Sequence, residues 1–237
     1  MVCRRELSLP QVAQVRGRQD CRAWREAGYL PVAVVWVYKG GEQVLKYRVY
    51  VACQDLSRND YQLTRTTGRK VPEYQGGFLL DGGVHFVAGL RALLSAAGGQ
   101  EIAQVAAFSA LLEERLLPVD TVHAVAVTKE GKTGTIGLSF GTEFKAGLEV
   151  EIVTTNGSIV WNPRGVQTTT TKDGEKVETK EEFGSDSGVT AEVAAFVAAI
   201  AAGKEDPRQT PLEALKDLEI IQALLESGAA GAAVRKI

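Results

Sequence analysis

Asp81 and His85 are the residues of this chain whose types and spacing best suit chemistry. They lie four apart in GGFLLDGGVHFVAGLRALL, residues 76 to 94, where Phe86, Val87, Leu90, Leu93 and Leu94 recur at helical spacing and predict a single helix. Positions i and i+4 sit nearly above one another, about 6 Å apart along the axis, so an acid and an imidazole here share one side and can reach one small substrate. His85, with an ordinary pKa of about 6.5, is the candidate proton carrier. Asp81, expected near the helix start, is held as a carboxylate by the helix dipole and suits orienting or polarising a neighbour better than donating a proton. Gly76, Gly77, Gly82 and Gly83 each cost about 1 kcal/mol in a helix relative to Ala. They predict close backbone approach or a bent entry. Read without chemistry, the same pair is a helix-start acid beside a satisfied, half-buried histidine.

The elements that must position the pair follow from pattern. LPVAVVWVY and EQVLKYRVYV, between Leu30 and Val51, are β-rich and separated at Lys39-Gly40-Gly41, which predicts a hairpin. Residues 54 to 75 are polar and carry Arg58, Arg65, Arg69 and Lys70, a loop able to overhang the pocket and lend it a cation. Ala96-Ala97-Gly98-Gly99 ends the helix. Strand candidates then come at short intervals, over 102–112, 120–127, 133–140, 147–153, 158–161, 165–171 and 176–183, with hairpin signals at Asn156-Gly157 and Asp173-Gly174. The series reads as an antiparallel meander. His123 falls mid-strand among small and apolar neighbours, where a structural role is favoured.

Two helices close the chain. GVTAEVAAFVAAIAAG, 188 to 203, places Val193, Phe196, Val197 and Ile200 on one stripe; the second begins with the capping box Thr210-Pro211-Leu212-Glu213 and carries Leu215, Leu218, Ile221, Leu224 and Leu225. Both stripes are expected on one face of the sheet. The fold class is therefore α+β, an open, largely antiparallel sheet with helices packed on one face, its other face being solvent, a pocket wall or a subunit interface. An interface is preferred, which predicts a homo-oligomer through the open face.

Composition narrows the function. The 237 residues are 45% hydrophobic and carry 27 Lys and Arg against 29 Asp and Glu. A net charge of -2 offers no grip on nucleic acid or an anionic membrane. Cys3, Cys21 and Cys53 form no C-x-x-C pair, so neither a zinc site nor a disulfide framework is expected, and a reducing, cytoplasmic setting fits best. No apolar run approaches the roughly 20 residues that cross a bilayer. The arginine-rich first 28 residues contain Glu6, Asp20 and Glu26, against a targeting segment. No Gly-x-Gly, G-x-S-x-G or P-loop occurs.

Taken in order, GGFLLDGGVHFVAGLRALL, PVDTVHAVAV and DPRQTPLEALKDLEIIQALLESG resemble the C-terminal domain of the glucose-fructose oxidoreductase / inositol dehydrogenase / MocA (Gfo/Idh/MocA) family, most of all its fungal members. The resemblance covers residues 70 to 228 and reaches back weakly to about Val44. It divides the chain into an unassigned segment, 1 to 40, and a substrate and oligomerisation domain, 41 to 237. Members are NAD(P)-dependent dehydrogenases of sugars, polyols or related alcohols. The resemblance implies that Asp81 and His85 are the catalytic pair, His85 moving the hydroxyl proton while the cofactor takes the hydride, and that Arg69 binds substrate where relatives carry a Trp-Arg pair. Here Gly68 precedes it, not Trp. The family's Rossmann half and its Glu-Lys-Pro lysine have no counterpart. The expectation is a truncated substrate domain, inactive or weakly active alone and without tight NAD(P) binding of its own. The alternative is a non-catalytic dimerising or carbohydrate-binding module on the same sheet.

Overall fold

Period-two alternation decides which side of a sheet each residue takes, and in this protein it separates a dry face from an open one. The computed structural model describes residues 43–54, 77–142, 146–162, 164–183 and 188–237. The first strand of the expected hairpin, residues 55–75 of the expected 54–75 loop with Arg69, and Gly76 lie outside the described residues. The strands are β1 (Val44–Gln54), β2 (Ile102–Ala110), β3 (Thr121–Thr128), β4 (Thr133–Thr142), β5 (Gly147–Thr154), β6 (Gly157–Asn162), β7 (Gly165–Lys172), β8 (Glu175–Glu182) and β9 (Arg235–Lys236). The helices are α1 (Gly77–Ala96), α2 (Val189–Ala202) and α3 (Pro211–Ala229), with a 3-10 turn at Glu114–Leu116.

The nine strands lie in the order β8-β7-β6-β5-β1-β4-β3-β2-β9. The expectation is a single meander; instead β1 is inserted between β4 and β5, parallel to β4 and antiparallel to β5. The other pairs are antiparallel. Two meanders, β2–β4 and β5–β8, therefore flank a strand that comes first in the described order. β8 forms one edge and is blunted by Glu175, Lys176, Glu178, Lys180, Glu181 and Glu182, charges that discourage another chain from adding to it. The β7–β8 turn is of the expected kind, with Asp173 and Gly174 both at positive φ. Gly157 differs. It is the first residue of β6, and a Cβ there would stand 2.2 Å from the Thr169 carbonyl oxygen, so close strand approach explains it.

Tyr47, Val49 and Val51 of β1, Ile136, Leu138 and Phe140 of β4, and Val122 and Ala124 of β3 form the dry face. α1 lays Phe78, Leu79, Val87, Leu90, Leu93 and Leu94 into that core, and α3 adds Ile220, Ile221, Leu224 and Leu225. At about 1.5–3 kcal/mol for each large apolar side chain buried, an upper estimate, this docking outweighs any polar contact the helices make. α1 is also long and apolar enough to cross a bilayer, but its apolar side is spent on the sheet. It stops as expected, with Gly98 and Gly99 at positive φ.

The closing helices meet their expectations unevenly. α3 begins with Thr210 accepting from the Glu213 backbone N–H (3.2 Å) and Pro211 in the first turn. Its Leu215 and Leu218, expected in the stripe, are exposed; the packed side is rotated to Ile220, Ile221 and Leu224. α2 overturns its expectation. Val193, Phe196, Val197 and Ile200 face solvent, and Ala191 is its one buried residue.

A polar clamp ties α1 to α3. The Arg91 guanidinium donates to the Glu213 carboxylate (2.7 Å), to the Glu213 carbonyl (3.0 Å) and to Asp217. Burial outweighs the Arg91 bond at Asp217 and pushes its carboxyl above the ordinary range, whereas bonds from Lys216 and Arg91 pull Glu213 below it.

Unfolding in urea weighs both kinds of contact. Gly77 has φ +44, and a Cβ there would lie 2.3 Å from the Leu117 carbonyl oxygen, while Gly99 at φ +70 meets nothing. Gly77→Ala is expected to cost about 2 kcal/mol or more through strain and overlap, and Gly99→Ala about 1 kcal/mol through backbone strain alone. Equal costs would remove the Leu117 contact from the account. Arg91→Met strands a buried Asp217 and is expected to cost about 2–3 kcal/mol at neutral pH, most of it recovered by adding Asp217→Leu. A carboxyl whose folded pKa is raised binds its proton more tightly when folded. Its cost therefore exists above the unfolded pKa and fades as pH falls through the folded one, so the Arg91→Met deficit should shrink in acid.

Candidate functional site

α1 reaches the sheet closely because two of its residues have no side chain. A Cβ on Gly82 would lie 3.1 Å from the Phe140 ring, and one on Gly83 3.3 Å from Leu138 and Ile221. Phe140 fills the space that Gly82 leaves, with Phe78 edge-on at 5.3 Å and Phe86 tilted at 6.2 Å between ring centroids. The expectation of close backbone approach is met. Gly82 and Phe86 immediately follow Asp81 and His85 in sequence, so the pair rides on the stretch of helix most tightly seated on β4.

Asp81 and His85 both lie on α1, both exposed, on the side away from the sheet. One expectation about them fails. Asp81 is the fifth residue of a helix that starts at Gly77, beyond the first turn in which the dipole acts strongly. Ala88 and Ala92 continue the same side at alternating spacings of three and four.

The neighbouring motif, PVDTVHAVAV, proves to be a brace. Asp120 is fully buried and accepts from the backbone N–H of Leu112 (3.1 Å) and Glu113 (2.7 Å) and from the Thr121 hydroxyl (2.8 Å). Thr121 spends its proton on Asp120, so the Ser139 hydroxyl 2.8 Å away donates to Thr121. Just upstream, the Leu117 carbonyl faces Gly77. The entry to α1 is thus set against a loop locked by a buried carboxylate. The sequence signal for this is the Asp placed immediately before a β run, which alternation alone can assign only to a strand face.

His123 is on β3 but on the open face, opposite Gly137 of β4 and Phe108 of β2. Its ring lies over Gly137, whose Cβ would be 3.2 Å from Cδ2. The sheet separates it from Asp81 and His85. Arg69 is outside the described residues. A groove of about 540 Å³ begins a turn beyond His85 and is lined by Ala88, Arg91, Ala92, Glu101, Lys129 and Arg208 among others. Three of its cations are already paired, Arg91 with Asp217, Lys129 with Glu101 and Arg208 with Asp206. It is a mixed trough in which those three cations are already engaged.

Among the described residues no group of three or more His, Cys, Asp or Glu is placed to hold a metal. They do not fit a dinucleotide either. A pyrophosphate cradle needs a strand, a glycine turn and a helix within parallel β-α-β structure, and the parallel pairing here is confined to β1–β4. The start of α1 faces the Leu117 carbonyl, and the first turn of α3 is occupied by its own Thr210.

Comparison with known proteins accounts for this arrangement. Residues 42–235 match the model of the oxidoreductase family, C-terminal alpha/beta domain. The chain is 48% identical over 183 residues to Dehydrogenase FPY6 of Fusarium mangiferae, a match that takes in 77% of this chain and 52% of the relative, about half its length. Among solved structures, an oxidoreductase from Thermotoga maritima superposes with a TM-score of 0.68 at 24% identity, over 91% of this chain and 59% of its own. A levoglucosan dehydrogenase in complex with NADH and levoglucosan gives 0.69 at 17%, over 91% and 64%. At such identities the likeness shows the fold, the same open α+β sheet with helices on one side. By its family match, this chain is a member of the Gfo/Idh/MocA oxidoreductases and carries their C-terminal alpha/beta domain.

Proposed function

We propose that this chain is the substrate-domain portion of an NAD(P)-dependent oxidoreductase acting on the hydroxyl of a sugar or polyol, weakly active or inactive by itself. The observation that carries the reading is the solvent-facing Asp81 and His85 pair on a helix seated by glycines and braced by Asp120. His85 takes the substrate hydroxyl proton, and Asp81 orients the imidazole or the hydroxyl. Arg69, implied by resemblance, supplies a substrate-binding cation. Hydride chemistry belongs to the nicotinamide, which the described residues do not hold. The family's levoglucosan dehydrogenase, crystallised with levoglucosan and with L-sorbose, supports the substrate class. Three cysteines without paired spacing and the slight negative charge support a cytoplasmic protein with neither nucleic-acid nor membrane partners.

A specific observation favours a second role for the same domain. Phe108 and Val125 stand on the open face of neighbouring strands, 69% and 53% exposed. That face suits a homo-oligomer contact, with or without catalysis.

Solution measurements test both roles. Calorimetric titration with NAD(H) and NADP(H) is expected to show no micromolar binding to the chain alone; micromolar affinity would reveal a cofactor site and restore an independent enzyme. When the unmatched portion of the Fusarium dehydrogenase is joined ahead of this chain, His85→Gln is expected to lower kcat about 10²–10⁴-fold, with thermal unfolding unchanged because the side chain is exposed. Unaltered turnover removes His85 from the mechanism. Light scattering after size exclusion should show an oligomer that Phe108→Glu with Val125→Lys converts to monomer, and a monomeric parent chain would count against the open-face contact.

A further inference from the structure

The outward side of α1 changes character one turn after His85. It carries Asp81 and His85, then Ala88, Ala92 and Ser95, at spacings of three and four that keep all five on one stripe. From Ala88 onward that stripe lines the groove of about 540 Å³, whose other walls come from α3, the start of β2, the β3–β4 turn and the connection before α3. Sites for small molecules commonly measure about 300–1,000 Å³, so the space is of a useful size. At roughly 1.5 Å of rise per residue the helix advances about 10 Å between Ala88 and Ser95. The groove therefore continues the Asp81 and His85 surface away from the reacting hydroxyl.

We propose that this groove is a subsite for a second, neutral sugar unit, so that the substrate served by Asp81 and His85 is an oligosaccharide rather than a free monosaccharide. The proposal rests on the oxidoreductase reading above and deepens it from the class of alcohol to the size of the substrate. Charge argues for a neutral ligand. Four cations line the groove, and each sits on a carboxylate: Arg91 on Glu213 (2.7 Å) and Asp217, Lys216 on Glu213 (2.9 Å), Lys129 on Glu101, and Arg208 on Asp206. An anionic ligand would have to take a cation from its partner. A hydroxyl does not, because a carboxylate accepts at about four sites and an ammonium donates three, so a pair matched in charge keeps capacity for hydrogen bonds. One such pair can accept from a sugar hydroxyl and donate to the next. Lys129 and Glu101 are placed for this, being 59% and 52% exposed, and Glu219 adds a further acceptor. The lining also includes Ala88, Ala92, Ile102, Pro207 and Ile220, aliphatic surface for the C–H face of a sugar ring. No aromatic ring is among the described lining residues, so binding is expected to be weak, in the millimolar range.

The test titrates the isotope-labelled 237-residue chain with neutral trisaccharides of glucose, xylose and mannose, and with glucose, glucosamine and glucose phosphate, following the amide resonances of Ala88, Ala92, Glu101 and Lys129. The best trisaccharide is expected to saturate these shifts in the millimolar range, at least fivefold more tightly than glucose. Ala92→Phe fills the trough and is expected to abolish the shifts with thermal unfolding unchanged, since Ala92 is exposed; Lys129→Ala should weaken them several-fold. Groove resonances that no trisaccharide moves overturn the proposal. So does tighter binding of glucosamine or glucose phosphate, which would make the groove a charge site. Turnover is read on the chain joined behind the unmatched portion of the Fusarium dehydrogenase. There kcat/KM for the oligosaccharide is expected to exceed that for its monosaccharide more than tenfold, and Ala92→Phe to lower this ratio at least fivefold; a ratio that does not change removes the subsite. The two readings fail separately. Groove shifts without turnover leave the subsite and remove the redox function, and turnover of a free sugar by a protein whose groove takes no trisaccharide does the reverse.

Discussion

The contact between the glycine side of α1 and Phe140 governs the geometry of this domain. Gly82 and Gly83 forgo helix propensity so that an aromatic ring and two aliphatic side chains can touch helix backbone. A helix held off by ordinary side chains would pack about 8–10 Å from its neighbours' axes and could slide. Here Phe78 and Phe86, about two turns apart with Gly82 between them, bracket the Phe140 ring, which sets both the height and the rotation of α1. Rotation matters because it decides that Asp81 and His85 look outward. The bland alternative of a satisfied, half-buried histidine does not describe His85, which is exposed.

Each end of α1 is restrained by a different kind of force. At its start the restraint is steric, Gly77 against the Leu117 carbonyl, and the loop behind that carbonyl is organised by Asp120 receiving backbone and hydroxyl hydrogen bonds. Toward its end the restraint is ionic, Arg91 against Glu213 and Asp217. The second arrangement is not free. Asp217 is buried deeply enough that its carboxyl is pushed up despite its partner, so the clamp adds more to orientation than to net stability. Apolar burial supplies the stability, and the polar contacts select one register.

Much of this is legible locally. The apolar spacing in 76–94, the Gly98-Gly99 stop, the Asp173-Gly174 turn and the Thr210-Pro211 cap all act within a few residues, and each appears where its chemistry places it. What is not legible depends on contacts between distant residues. The insertion of β1 between β4 and β5 joins strands about a hundred residues apart and leaves no local trace. Arg91 finds its partners more than 120 positions away. Gly82 and Gly83 beside Asp81 announce a close backbone approach, but not that it is made to Phe140, Leu138 and Ile221. Gly157 resembles a turn residue and is a site of strand contact instead. In each case the residue type is recognisably unusual, and the reason for it lies in a neighbour that sequence distance conceals.

α2 shows where amphipathic reasoning reaches its limit. A stripe at helical spacing reports that something apolar must cover it, and the usual cover is the protein's own core. Nothing in periodicity distinguishes that core from another folded body. The discriminating feature is the opposite side of the helix, where Ala191 is buried and Ala195 and Ala199 are half-buried, so the less exposed side carries only small residues. A helix meant for its own core would put Val193 and Phe196 there. With small residues on the less exposed side and large ones outward, helical spacing alone does not give α2 the orientation it has. By the same logic the open face of the sheet, with Phe108 beside His123, is a surface shaped for contact across the molecule from the one that carries the acid and the imidazole.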